Sequence, residues 1–192
     1  MTFSLNDKNQ LIYATEKDKD GNDVAIVSKD KKGSAKGSAS ARNLMMDAVG
    51  NTTTVDVGLT TGKIGSQTPQ GGTNIWLSPS QINGFINHTS KGLNNMTMGW
   101  GMTLMHEFMQ TGIGGNLKGD KSAFGRTDDV EDKMNQIREE LGTDWGQRMS
   151  HTPGKIQGDK SPGYIPFDER SMNDIQSQIT PSPYDQWIET SQ

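Results

Sequence analysis

The apolar positions of this chain change period along its length, and each change predicts an element. Leu11 to Thr15 and Asp23 to Ser28 are short β-rich runs on either side of Lys17 to Asn22, a hairpin with Gly21 in its turn. The aspartates of that turn do not make a calcium loop, because the EF-hand pattern needs a later glycine and a distal glutamate. Lys29 to Ser38, charged and rich in glycine and serine, predicts a mobile connector. Ser40 caps a helix through Val49, with Leu44, Met45, Ala48 and Val49 as its apolar stripe. Alternation over Thr52 to Leu59 predicts a strand, and Thr73 to Leu77 a second. Ser78, Pro79 and Gln81 form a helix-start signature, so a helix is expected over Pro79 to Asn87. Val130, Met134, Ile137 and Leu141 recur at helical spacing behind an acidic first turn, which predicts a helix from Asp128 or Asp129. Tyr164 to Phe167 reads as a short strand and Glu169 to Ile179 as a helix; the tail can dock only through Tyr184, Trp187 and Ile188. No internal repeat is apparent. The order of elements is an α+β layout, with residues 1–38 as hairpin and connector and 39–192 as one domain.

One stretch breaks the amphipathic pattern. Thr97 to Gly115 is apolar nearly all round, which marks a buried helix. At about 100° per residue, Gly99, Thr103, His106 and Gln110 share a face, with Glu107 at its border. Trp100, Leu104 and Phe108 flank that face on one side, and Met98, Met102, Met105 and Met109 on the other. Burying histidine, glutamate and glutamine side by side is costly unless each has a strong partner, so the stretch points to a site. Its spacing is one residue from H-E-x-x-H, in which two histidines bind zinc and the glutamate takes a proton from water. Gln110 stands where the second histidine is expected, and an amide oxygen is a weaker donor. Either a peptidase has been disabled by His→Gln, or a natural relative has lost catalysis; a buried His and Gln bonded to backbone is the bland alternative.

Composition narrows the chemistry. There is no cysteine, so metal ligands come from three histidines and the carboxylates. The acidic first turn, with Asp128, Asp129, Glu131 and Asp132, offers a third ligand, although the helix dipole explains those residues equally well. Arg148 and His151 can stabilise the charge of a tetrahedral intermediate or serve a surface salt bridge. His88, in a polar loop, is expected exposed and outside any site. A net charge of -4 with both signs interspersed gives no support for nucleic acid as a partner. No apolar run approaches a membrane span and no signal-peptide core is present, so the chain is expected soluble, with any export as part of something larger.

The segments TNIWLSPSQINGFI, TMGWGMTLMHEFMQTGIGG and VEDKMNQIREELGTDWGQRMSHT together resemble the zincin-type metallopeptidase domains at the C-termini of bacterial polymorphic toxins, which commonly follow Rhs-type regions. The likeness runs from Val55 to His151. It implies a zincin-like fold, in which a small mixed sheet packs against the motif helix and a second, ligand-bearing helix. It implies His106 as a zinc ligand, Glu107 as general base, Gln110 in the place of the second ligand, and Asp129 or Asp132 as the third. Thr73 to Leu77, with Asn74, Ile75 and Trp76 at its centre, would be a cleft-edge strand pairing with an extended peptide. The partners it implies are a protein or peptide substrate and a cognate immunity protein, and the setting is secretion or delivery to a target cell within a larger bacterial protein. The alternative is a non-catalytic module that holds a peptide or an immunity-like partner.

Overall fold

The computed structural model describes residues 3–61, 64–89, 92–119, 127–151, 164–168 and 186–187. Its first segment is built on turns that recur every twelve residues. Asn6, Asp18 and Asp30 each accept, through one side-chain oxygen, the backbone N–H groups two and four residues on. In each, the backbone N–H of the same residue donates to the carbonyl four residues later. Three residues on stand Asn9, Gly21 and Gly33, all with positive φ, where glycine or asparagine is tolerated best. Around these turns β1 (Phe3–Leu5) pairs with β2 (Leu11–Tyr13), β3 (Thr15–Lys17) pairs with β4 (Asp23–Ala25), and Lys29 bridges Ala35, all antiparallel. Leu11–Tyr13 therefore pairs backward with β1 rather than forward across Gly21. Where the sequence pattern leads one to expect a connector, Lys29 to Ser38 carries a third copy of the turn. An internal repeat is present after all, and it escapes a hydrophobic-pattern reading because only its turn positions are alike.

Helix α1 (Ala39–Gly50) starts two residues earlier than a Ser40 cap would place it, because Ser38 is the residue whose hydroxyl accepts from Ala41 N–H. The start is tied to the far end of a later helix. Glu140 accepts from the Ser38 and Ser40 hydroxyls and from Ser40 N–H. Slight burial works against ionisation of Glu140, and these hydrogen bonds outweigh it and hold its carboxyl below the usual value.

Next come β5 (Asp56–Leu59) and β6 (Asn74–Leu77), paired parallel in the register Asp56 to Asn74 and Leu59 to Leu77. Ile75 and Leu77 point inward and are buried, while Trp76 lies outward over Gly58, where a Cβ would stand 2.5 Å from the indole. Helix α2 (Pro79–Asn87) begins as its signature predicts, with the Ser78 side chain accepting from Gln81 N–H. A 3-10 turn (Asn95–Met98) leads into α3 (Trp100–Gln110), and Asp128 caps α4 (Asp129–Leu141) by accepting from Glu131 N–H. Beyond α4 the described residues add short antiparallel pairs: β7 (Gln147–Arg148) with β9 (Phe167–Asp168), and β8 (Tyr164–Ile165) with β10 (Gln186–Trp187). The helix expected over Glu169 to Ile179, with Tyr184 and Ile188 of the tail, lies outside the described residues; Trp187 falls in β10.

Helix α3 is the hub of the core. Its Phe108 packs with Ile75, Leu77 and Ile82; its Met102 and Met109 pack with Val130, Met134 and Ile137 of α4. A third cluster joins Phe85, Leu93, Met98, Ile165 and Phe167 beneath its N-terminal end. The fold is α+β, with the strands mostly before α3. Among the described residues no helix is long and apolar enough to cross a membrane.

The glycine-rich exit of α3 is a close approach of backbone on backbone. A Cβ at Gly114 would overlap the Phe108 carbonyl oxygen, whose place is fixed by bonds from Thr111 N–H and hydroxyl. Neither partner can yield. Gly114→Ala is expected to destabilise the chain toward the upper end of about 1–3 kcal/mol, read as a lower midpoint in chemical denaturation. An unchanged midpoint would mean that the exit of α3 is held less tightly than these bonds indicate.

Candidate functional site

Glu131 sits at the centre of the polar core, where α4 meets α3. Its position follows from helix geometry: Glu131, Asn135 and Arg138 recur at four and then three residues, forming a polar stripe beside the apolar stripe of Val130, Met134 and Ile137. All six are buried. Arg148 Nη1 donates to Oε1 of Glu131 at 2.5 Å and Arg138 Nη1 to Oε2 at 3.4 Å. His106 Nδ1 stands 3.1 Å from Oε1. Burial works against ionisation of Glu131, but Arg148, His106 and Arg138 more than reverse it and hold its carboxyl well below the carboxylate range. Arg138 is lowered by its own burial to about 10, offset in part by Glu131. It also touches Asn135, the Thr97 hydroxyl and carbonyl, the Met98 sulfur and the face of Phe167, 5.3 Å from the ring centre.

The other half of the site comes from the segment after α4. Asn135 fastens it like a strand neighbour, donating to the Arg148 carbonyl at 2.7 Å and accepting from Arg148 N–H at 2.8 Å. Arg148 then holds the next turn, with Nε on the Ser150 carbonyl and Nη2 on the His151 carbonyl. These bonds deliver the His151 ring to within 5.1 Å of the His106 ring, centroid to centroid. His151 Nδ1 lies 2.5 Å from Oδ2 of Asp128, an ion-pair distance off the line of a good hydrogen bond.

Around His106, both ring nitrogens are engaged. With Nδ1 donating to an ionised carboxylate, Nε2 carries the lone pair, and the Gln110 amide N–H donates to it across 3.1 Å. Glu107, next in sequence, is buried, and its Oε2 has no hydrogen-bond partner among the described residues. An orphaned carboxylate oxygen in a core calls for an explanation, and a catalytic role is one.

His106, Glu131 and His151 are close enough to hold a metal ion, each offering one ligand atom, all within 4.8 Å of one another. Asp129 and Asp132 are not brought to this group. They lie on the exposed side of α4, where they line an open groove with Leu117, Lys133 and Gln136. Glu131 is the first-turn acid that faces His106, since Asp132 and Asp129 are turned away from it by about 100° and 160°. Arg148 is buried, and its guanidinium is spent on Glu131 and two carbonyls, so it braces His151 rather than lining a cleft. His88 is exposed and bonds the Gly84 carbonyl, as expected of a non-ligand.

The expected cleft strand needs correction. β6 has β5 on one edge, and at Trp76 the other edge is taken by Gln67, through Gln67 N–H to Trp76 O at 2.9 Å and Trp76 N–H to Gln67 O at 3.0 Å. Backbone groups already paired on both sides cannot pair with a peptide, so the strand is closed to one at Trp76. The loop that supplies Gln67 is itself stitched to the motif helix, by Gly71 N–H on the Gln110 carbonyl and the Gln70 amide on Asn116.

Glu131 and Asp128 belong to the acidic group expected to offer a ligand, and the signal that singles them out is an acidic cap with glutamate three residues on, beside the helix's apolar stripe. Comparison with known families, with curated proteins and with solved structures finds no match.

Proposed function

We propose that this chain is a metal-dependent peptidase-type domain, zincin-like and of the polymorphic-toxin kind, whose site is weakened by Gln110. The observation that carries the reading is Glu107: a buried carboxylate with an unpartnered oxygen, one residue from an imidazole already oriented by a second carboxylate. The donor set fits a borderline ion such as zinc, with imidazole nitrogen and amide oxygen available and no thiolate. Zinc, when bound, would polarise a peptide carbonyl and acidify water.

The chain's own residues would do the rest. His106 would hold the ion through Nε2, with Glu131 fixing its ring as carboxylate partners of metal-bound histidines do. The Gln110 carboxamide would have to turn its oxygen inward, giving up the N–H bond it now makes to His106. Glu107 would accept the proton of the attacking water at Oε2 and return it to the leaving amine. A peptide substrate, a cognate immunity protein and delivery within a larger bacterial protein are proposed on the resemblance alone.

The Gln110–His106 bond favours a second reading. It closes the lone pair that a metal needs, as expected of a non-catalytic module that binds a peptide or an immunity-like partner. Zinc titration of the chain and of Gln110→His in parallel separates the two. Tight one-to-one zinc in the Gln110→His form supports the peptidase reading, and no zinc in either form leaves only the binding module.

A further inference from the structure

We infer that His151 is the second imidazole ligand of this metal site, standing in for the histidine that Gln110 displaces, with Asp128 and Gly119 as its positioning residues. The inference rests on the metal reading above. It also draws on geometry that the reading did not use.

The two rings are held in matching ways. Each turns its Nδ1 toward a carboxylate from the start of α4, His106 toward Glu131 and His151 toward Asp128. A ring whose Nδ1 faces a carboxylate offers Nε2 as its donor, the arrangement found around metal-bound histidines. The ring planes are inclined by 54° with centroids 5.1 Å apart, so the rings are not stacked, and a ligand atom of each lies within 4.8 Å of one on the other. Of the group within 4.8 Å, Glu131 is the poorest ligand, because Arg148, Arg138 and His106 already occupy its oxygens and two guanidinium charges oppose a dication beside it. Glu131 therefore orients and the imidazoles bind. With the turned Gln110 amide, the set is two nitrogens and one oxygen, the three protein ligands typical of a catalytic zinc site.

The His151 ring is caged for this role. A Cβ at Gly119 would come within 2.7 Å of its Cε1, so the ring packs directly on the Gly119 backbone. Its carbonyl is held by Arg148 Nη2 at 2.6 Å, and its side chain is 10% exposed.

The test is a cobalt(II) titration of the full chain, followed by visible absorption and checked by zinc competition. His151→Asn, Gly119→Ala, Asp128→Asn and the distant control His88→Ala are compared, each first shown to be folded by its unfolding midpoint. The expected result is one-to-one binding with a nitrogen-ligand spectrum in the parent and in His88→Ala. His151→Asn and Gly119→Ala should lose affinity, and Asp128→Asn about 10–100-fold as an outer partner. Gly119→Ala keeps the imidazole but moves it, so it tests placement even where His151→Asn folds poorly. If the Gln110→His form binds metal equally well with and without His151, this inference falls and the proposed function stands. If neither parent nor Gln110→His binds metal, both fall together.

Discussion

Replacing Glu131 by glutamine lowers the unfolding free energy by about 3–5 kcal/mol. The substitution keeps the size of the side chain and removes the charge that two buried guanidiniums face, Arg148 at 2.5 Å and Arg138 at 3.4 Å. Neither can reach water instead, since Arg138 is 1% and Arg148 7% exposed at the side chain. The loss should appear as a lower denaturation midpoint with an unchanged slope, while Glu139→Gln on the exposed face stays within about 0.5 kcal/mol of the parent. Its pH dependence has a definite sign. The folded carboxyl of Glu131 is depressed from its ordinary value of 4.5, so as pH falls below that value the unfolded chain takes up its proton first and the parent loses stability. Above that value the contribution is fully present. Glu131→Gln lacks this term, so the gap between parent and variant is widest near neutrality and narrows toward about pH 3. A gap that is small at neutrality, or constant with pH, would mean that Glu131 is not the charge on which the polar core depends.

The legible parts of the fold are those whose cause is local. Ser78, Pro79 and Gln81 fix the start of α2 within one turn, and the spacing of Val130, Met134 and Ile137 fixes both α4 and its buried face. His106, Glu107 and Gln110 were readable because a buried helix with three polar residues is costly unless something holds them. The partners of these residues were not readable, since pairing between segments leaves no local trace. Glu131 looks like any acid at a helix N-terminus until Arg148, seventeen residues on, is seen to face it. His151 reaches His106 only because Asn135 and Arg148 fold the intervening segment back onto α4. The cleft edge at β6 came from the resemblance alone, because alternation shows which face of a strand is buried and says nothing about how many neighbours it has, such as Gln67 at Trp76. The twelve-residue repeat rests on Asn6, Asp18 and Asp30 and on three residues of positive φ, too few positions to stand out against strands as different as Leu-Ile-Tyr and Asp-Val-Ala.

In the Gln110→His form, Glu107→Gln is expected to reduce peptide hydrolysis by about 10²–10⁴-fold while leaving zinc stoichiometry at one. The same substitution should act in the opposite sense on stability. Among the described residues Glu107 Oε2 is buried without a hydrogen-bond partner, an arrangement that costs more for a carboxylate than for an amide, so the amide should raise the unfolding free energy by on the order of 1 kcal/mol. A structural residue loses stability when altered, and a residue held ready for chemistry gains it, because its strain is retained for the reaction. The two readouts together discriminate better than either alone. Lost hydrolysis with gained stability assigns Glu107 as the base. Undiminished hydrolysis with zinc bound moves the base elsewhere in the site. Lost stability means that the oxygen has a structural partner and that the orphaned carboxylate, on which the peptidase reading rests, is not one.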